Sequence, residues 1–100
     1  FKVLLLNRAN KVIGVYEASA GGLTGTVADP RLILAAAIKS LAVSIVLSHN
    51  HPSGNLKPSR ADEELTQKIK AAAAYHDIRV IDHIIITSEG YYSFANEGVL

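Results

Sequence analysis

Two histidines separated by a single residue, His49 and His51, are the side chains of this chain best suited to chemistry, and Asp62 follows them across a short loop. In an extended backbone residues i and i+2 point to the same side, so both imidazoles can reach one ion. For zinc that means Zn–N distances of about 2.0–2.1 Å. Pro52 biases His51 toward extended geometry and then releases the chain into the loop. Asp62 falls where a helix should begin, and a carboxylate there gains from free backbone N–H groups and the helix dipole. By itself Asp62 would complete a capping box with Ser59. Next to a His-x-His pair it reads as a third ligand.

The ligand types set the chemistry. Closed structural zinc sites use four protein ligands, commonly cysteines, and this chain has no cysteine. Three N/O ligands leave a position for water, whose pKa bound zinc lowers to about 7. Mn²⁺ and Fe²⁺ accept the same ligands, with zinc, one per chain, the expected metal. Other hydrolases that use His-x-His fit poorly. An amidohydrolase barrel needs at least ~200 residues, and the metallo-β-lactamase pattern continues into Asp-His where this chain continues Pro52-Ser53.

The elements that must position these residues can be read from periodicity and turn chemistry. Lys2–Leu6 reads as a buried strand, Asn7–Asn10 as a turn and Lys11–Ala18 as a returning strand. Gly21-Gly22 marks a break, and Leu23–Val27 reads as a short third strand with an exposed edge. Asp29-Pro30 is a helix start, cap followed by first-turn proline, with Leu34, Ile38 and Leu41 as its apolar stripe. Val43–Ser48 is short, β-branched and apolar, a central strand. His49–Pro58 is a loop. From the Ser59–Asp62 capping box a helix runs to about Tyr75, with Ala61, Leu65, Ile69 and Ala72 inward. Arg79–Thr87 is a strand interrupted by Asp82-His83, and Tyr91–Phe94 is a last short strand. The order β-β-β-α-β-α-β-β implies one α/β domain over residues 1–100, a three-layer mixed sheet flanked by helices. Its candidate site lies at the carboxyl end of a strand, where open α/β sheets place ligands.

Ser48-His49-Asn50-His51-Pro52 followed by Ser59-Arg60-Ala61-Asp62 resembles the JAMM motif of the JAB1/MPN metalloproteases. Every position is met: His-x-His-Pro, six residues, Ser, two residues, Asp. With Ser53-Gly54-Asn55, Pro58 and Asp82-His83, the whole chain is most similar to the bacterial RadC proteins. The resemblance implies that His49, His51 and Asp62 bind zinc and that Ser59 is catalytic, donating a hydrogen bond to the oxyanion of a tetrahedral intermediate. It also implies a general-base Glu upstream of the His pair. Glu17 is the single Glu before His49 and reads as an ordinary strand-end carboxylate, so either the base stands in a short segment preceding Phe1 or the chain binds metal without efficient catalysis. Asp82 and His83 fit a satisfied polar pair or a strand irregularity, with orientation of a ligand imidazole as a further use. His76 reads as a surface residue.

Composition narrows the function. With 49% hydrophobic residues a packed core is expected rather than disorder. No apolar run approaches the ~20 residues of a membrane span, and Phe1 opens without a signal sequence, so a cytoplasmic protein is expected. Ten basic residues are scattered through a chain of net charge +1, unlike the concentrated basic face of a duplex-binding domain. The expected activity is therefore zinc-dependent hydrolysis of a peptide or isopeptide bond in a protein or peptide substrate. The alternatives are a DNA-repair nuclease or recruitment protein, for which the family name is the support, and an inactive metal-binding scaffold.

Overall fold

A computed structural model describes residues 1–19 and 28–100. The elements are β1 (Lys2–Leu6), β2 (Val12–Glu17), α1 (Pro30–Lys39), β3 (Ser44–Asn50), α2 (Arg60–Ala74), β4 (Arg79–Thr87) and β5 (Gly90–Ser93). The expected strand at Leu23–Val27 and the Gly21-Gly22 break lie outside the described residues.

The strands form one mixed sheet in the order β2-β1-β3-β4-β5. β1 pairs antiparallel with both β2 and β3, while β3 and β4 are parallel and β5 returns antiparallel on β4. The parallel pair requires a crossover, and α2 supplies it. Between β1 and β2 the chain turns at Asn7, whose side-chain oxygen accepts from the Ala9 and Lys11 amides. Asn10 takes the left-handed conformation this turn needs.

One face of the sheet carries the core. Val3 and Leu5 of β1 sit opposite Leu47 and Ile45 of β3, and these pack with Ile33 and Ala37 of α1 and Ile69 and Ala73 of α2. Both helices therefore cover the same face, and they also touch each other. The α/β class, the mixed sheet and its helical cover are as expected; the described residues occupy two of the three expected layers, the sheet and the helices. Ile45, Leu47 and Ile69 are fully buried, and each contributes roughly 1.5–3 kcal/mol of transfer free energy.

The helix starts follow the local signals. Asp29 caps α1 by accepting from the Arg31 amide, with Pro30 in the first turn. Ser59 and Asp62 form both bonds of a capping box on α2. The inward faces differ from the sequence reading by a small rotation. In α1 the buried pair is Ile33 and Ala37, whereas Ile38 and Leu41 are exposed. In α2 the buried set is Thr66, Ile69 and Ala73, with Ala61 exposed. Each inward face pairs an isoleucine with alanine, Ile33 with Ala37 and Ile69 with Ala73, so the helices approach the sheet closely at the alanines and fill the core at the isoleucines. Thr66 takes a core position because its hydroxyl finds partners there.

β3 extends further than expected, through His49 to Asn50. That extension carries the first histidine of the pair on the strand itself.

Candidate metal centre

His49 lies on the core face of β3, two residues beyond Leu47. His51 follows just past the strand end, tethered by its amide to the Ile86 carbonyl at 3.1 Å. The loop after it turns back and delivers Asp62 in the first turn of α2. His49 Nε2 and His51 Nε2 are 3.0 Å apart. Asp62 reaches both, with Oδ1 at 3.3 Å from His49 Nε2 and Oδ2 at 3.2 Å from His51 Nε2. Three ligand atoms on a tetrahedron with arms of about 2.0–2.1 Å would be separated by about 3.3 Å. The three residues can therefore hold a metal ion.

Asp62 serves two purposes at once. Its Oδ2 accepts the Ser59 amide at 2.8 Å, completing the capping box, while Oδ1 stays turned toward His49. Burial alone would raise this carboxyl's pKa. The hydrogen bonds to Ser59 and the two imidazoles outweigh burial and hold it below the ordinary 3.8. Ser59 Oγ accepts from the Asp62 amide at 3.0 Å. That cap uses a lone pair and leaves the hydroxyl proton free, so capping and oxyanion donation are compatible in one side chain. Ser59 also borders a cavity of about 470 Å³ shared with His51, Pro52 and Pro58.

Each histidine is gripped from behind. His51 Nδ1 lies 2.7 Å from the Asn55 carbonyl oxygen. A carbonyl only accepts, so Nδ1 carries the proton and Nε2 presents a lone pair toward Asp62. His49 Nδ1 instead lies 2.8 Å from His83 Nε2. The Phe1 ring stacks on His49 at a centroid distance of 5.5 Å, and Phe94 stacks on His83 at 4.5 Å. Burial lowers the pKa of His49, and His83, fully buried, is pushed from 6.5 down to about 4 by burial and by His49.

His83 reaches this position through a strand irregularity. Ile45 of β3 aligns with Val80 of β4, but the next residue, Val46, aligns with Asp82. The extra residue, Ile81, reverses the alternation, so His83 joins Leu47 on the core face and Asp82 turns to the other. There the Asp82 carboxylate accepts the amides of His83 and Ala95 and the hydroxyl of Ser93, tying β4 to the chain after β5. The Asp82-His83 pair thus divides into a structural carboxylate and an imidazole behind the metal centre. Glu17 is elsewhere: its β1 partner Lys2 is also the partner of Ser48, placing it on the face opposite His49. His76 is exposed beyond the end of α2. Sequence reasoning missed Thr66 and Phe1, and no motif marks either.

A strand-end His pair, a capping Ser and a helix-start Asp on a five-stranded mixed sheet fit a JAB-type domain whose three clustered side chains could hold a metal ion. The chain belongs to the RadC-like JAB domain family, which it matches over residues 1–99. It is 48% identical over 99 residues to a UPF0758 protein of Flavobacterium johnsoniae, covering 99% of this chain and 43% of that protein. A UPF0758 protein of Porphyromonas gingivalis is likewise 48% identical over 99 residues, covering 98% of this chain and 44% of the relative. One from Variovorax paradoxus is 45% identical over 100 residues, covering 100% and 44%. The chain thus spans less than half the length of the curated relatives it matches. Among the described residues no helix is long and apolar enough to cross a membrane.

Proposed function

We propose that this domain is a JAMM-type zinc metallohydrolase that cleaves a peptide or isopeptide bond in a protein or peptide substrate. His49, His51 and Asp62 hold one zinc. The supporting observation is the convergence of two imidazole Nε2 atoms and one carboxylate at tetrahedral-edge spacing, beside a serine whose hydroxyl proton is free. When bound, the metal supplies Lewis acidity and an activated water.

The chain's own side chains do the remaining work. Ser59 donates its hydroxyl proton to the developing oxyanion, a contribution of ~3–4 kcal/mol. The cavity between His51 and Ser59 receives the substrate backbone. Glu17 faces away from the site, so it is not the general base that the JAMM resemblance implies. Lys2 pairs with Ser48 in an antiparallel ladder, so were β1 continued upstream, a carboxylate at the second residue before Phe1 would stand opposite His51, on the His49 face.

Metal analysis tests the ligand set. Purified protein should carry about one zinc per chain, and the His49→Ala, His51→Ala double variant should carry none. Equal metal in both would overturn the assignment. In zinc-loaded protein extended upstream of Phe1, Ser59→Ala should lower kcat on a cleaved peptide by about 10²–10³-fold. Its unfolding free energy should fall by only about 1 kcal/mol, the loss of a cap. Unchanged turnover would remove Ser59 from catalysis.

A further inference from the structure

We propose that Thr66 and His83 form a buried hydrogen-bond relay that holds His49 in its metal-binding tautomer. The inference rests on the reading of His49 as a ligand, gives His83 a defined part in orienting it, and adds Thr66, a positioning residue that no motif identifies. Its starting point is a main-chain carbonyl. Thr66 Oγ1 lies 2.7 Å from the Asp62 carbonyl oxygen and 2.6 Å from His83 Nδ1. The carbonyl can only accept, and a hydroxyl has one proton, so Thr66 donates to Asp62 and accepts from His83.

Every later proton follows. His83 carries its proton on Nδ1, so its Nε2 is a bare acceptor. His49 Nδ1, 2.8 Å away, must then be the donor. A neutral imidazole with a protonated Nδ1 has an unprotonated Nε2. That Nε2 is the atom facing His51 Nε2 and Asp62 Oδ1, so three lone-pair atoms converge on one point, an arrangement that a bound cation would satisfy. The opposite direction would start with Thr66 donating to His83 and would leave two oxygen lone pairs facing each other at 2.7 Å. It would also end with an N–H on His49 aimed at the metal position, which blocks ligation.

The relay is insulated. Thr66 and His83 have no solvent exposure, and Phe94 covers the His83 ring. Water cannot substitute for a missing partner there. The relay also closes on itself: the carbonyl at its start and the carboxylate at its end both belong to Asp62. Position of the third ligand and tautomer of the first are thereby coupled through one turn of α2.

Nitrogen-15 NMR of the imidazoles in the metal-free wild-type chain at neutral pH reads the relay directly. The expected result is Nδ1–H on both His83 and His49. An Nε2–H tautomer of His83 would overturn the proposal, and this measurement needs no variant to fold. Cobalt titration followed by its visible absorption gives the second readout. Thr66→Val removes the acceptor and should weaken cobalt binding about 10–100-fold, with His83 shifting to Nε2–H, whereas Thr66→Ser should restore both within a few-fold. Wild-type affinity in folded Thr66→Val would also overturn it. If instead the His49→Ala, His51→Ala variant bound cobalt as tightly as wild type, the ligand assignment would fail while the tautomer result stood separately.

Discussion

His49 and His51 offer the same ring atom to the same point, yet different parts of the molecule hold them. His49 stands on β3 with a packed interior behind it: the buried ring of His83, the buried hydroxyl of Thr66 and the stacked rings of Phe1 and Phe94. His51 lies past the strand end, and its rear nitrogen is held by the Asn55 carbonyl in an exposed loop. A ligand fixed by the core moves only if the core repacks. A ligand fixed by loop main chain can shift with the loop. The cavity beside Ser59 is on the loop side, so adjustment to any molecule held there would fall on His51 and leave His49 as the fixed reference.

The strongest challenge to the contrast is Phe94→Ala. It removes a fully buried ring from behind His83 and should cost about 3–5 kcal/mol in chemical unfolding. Metal affinity in the folded fraction should fall through the His49 side. A loss under ~1 kcal/mol would mean that the deep side is no more rigid than the loop.

A pH titration of stability is next in size. Folded His83 has its pKa depressed to about 4 from an ordinary 6.5, so between those values the unfolded chain binds more protons. Metal-free stability should therefore be complete above pH 6.5, fall as pH drops from 6.5 toward 4, and stop falling on this account below 4. The total from His83 is about 3 kcal/mol, and burial of His49 acts in the same direction. Asp62, with its carboxyl held low, loses its contribution in a separate window, below the ordinary 3.8. Urea unfolding across pH 4–7 measures the slope, and folded His83→Gln should flatten much of it.

The smallest expected effect is on the loop. Gly54 has φ +84° and an added Cβ would meet nothing within 4 Å. Gly54→Ala should therefore cost about 1 kcal/mol from backbone strain alone. Cobalt affinity should change by no more than a few-fold, because the Asn55 carbonyl can readjust. A large affinity loss there would place loop and core on an equal footing.

Much of this arrangement was legible in order along the chain. The Asn7 turn, the Asp29-Pro30 start and the Ser59–Asp62 box each act within a few residues, so their bonds follow from local chemistry. The helix faces were less legible. Leu34, Ile38 and Leu41 make a plausible stripe, but the sheet packs against Ile33 and Ala37, and which side of a mostly apolar helix turns inward is a tertiary choice. Thr66 could not be singled out, since a threonine in a helix carries no sign of a buried imidazole across from it.

The sequence by itself singled out His49, His51 and Asp62, which the fold brings together where they could hold a metal ion, along with the capping serine and the α/β class, because spacing and capping are short-range constraints. Tertiary structure alone decided what stands behind the ligands. One extra residue in β4 turned His83 toward His49 and Asp82 away. Its effect depends on alignment with β3, a strand more than thirty residues earlier, and no local preference of Asp82-His83 specifies that register.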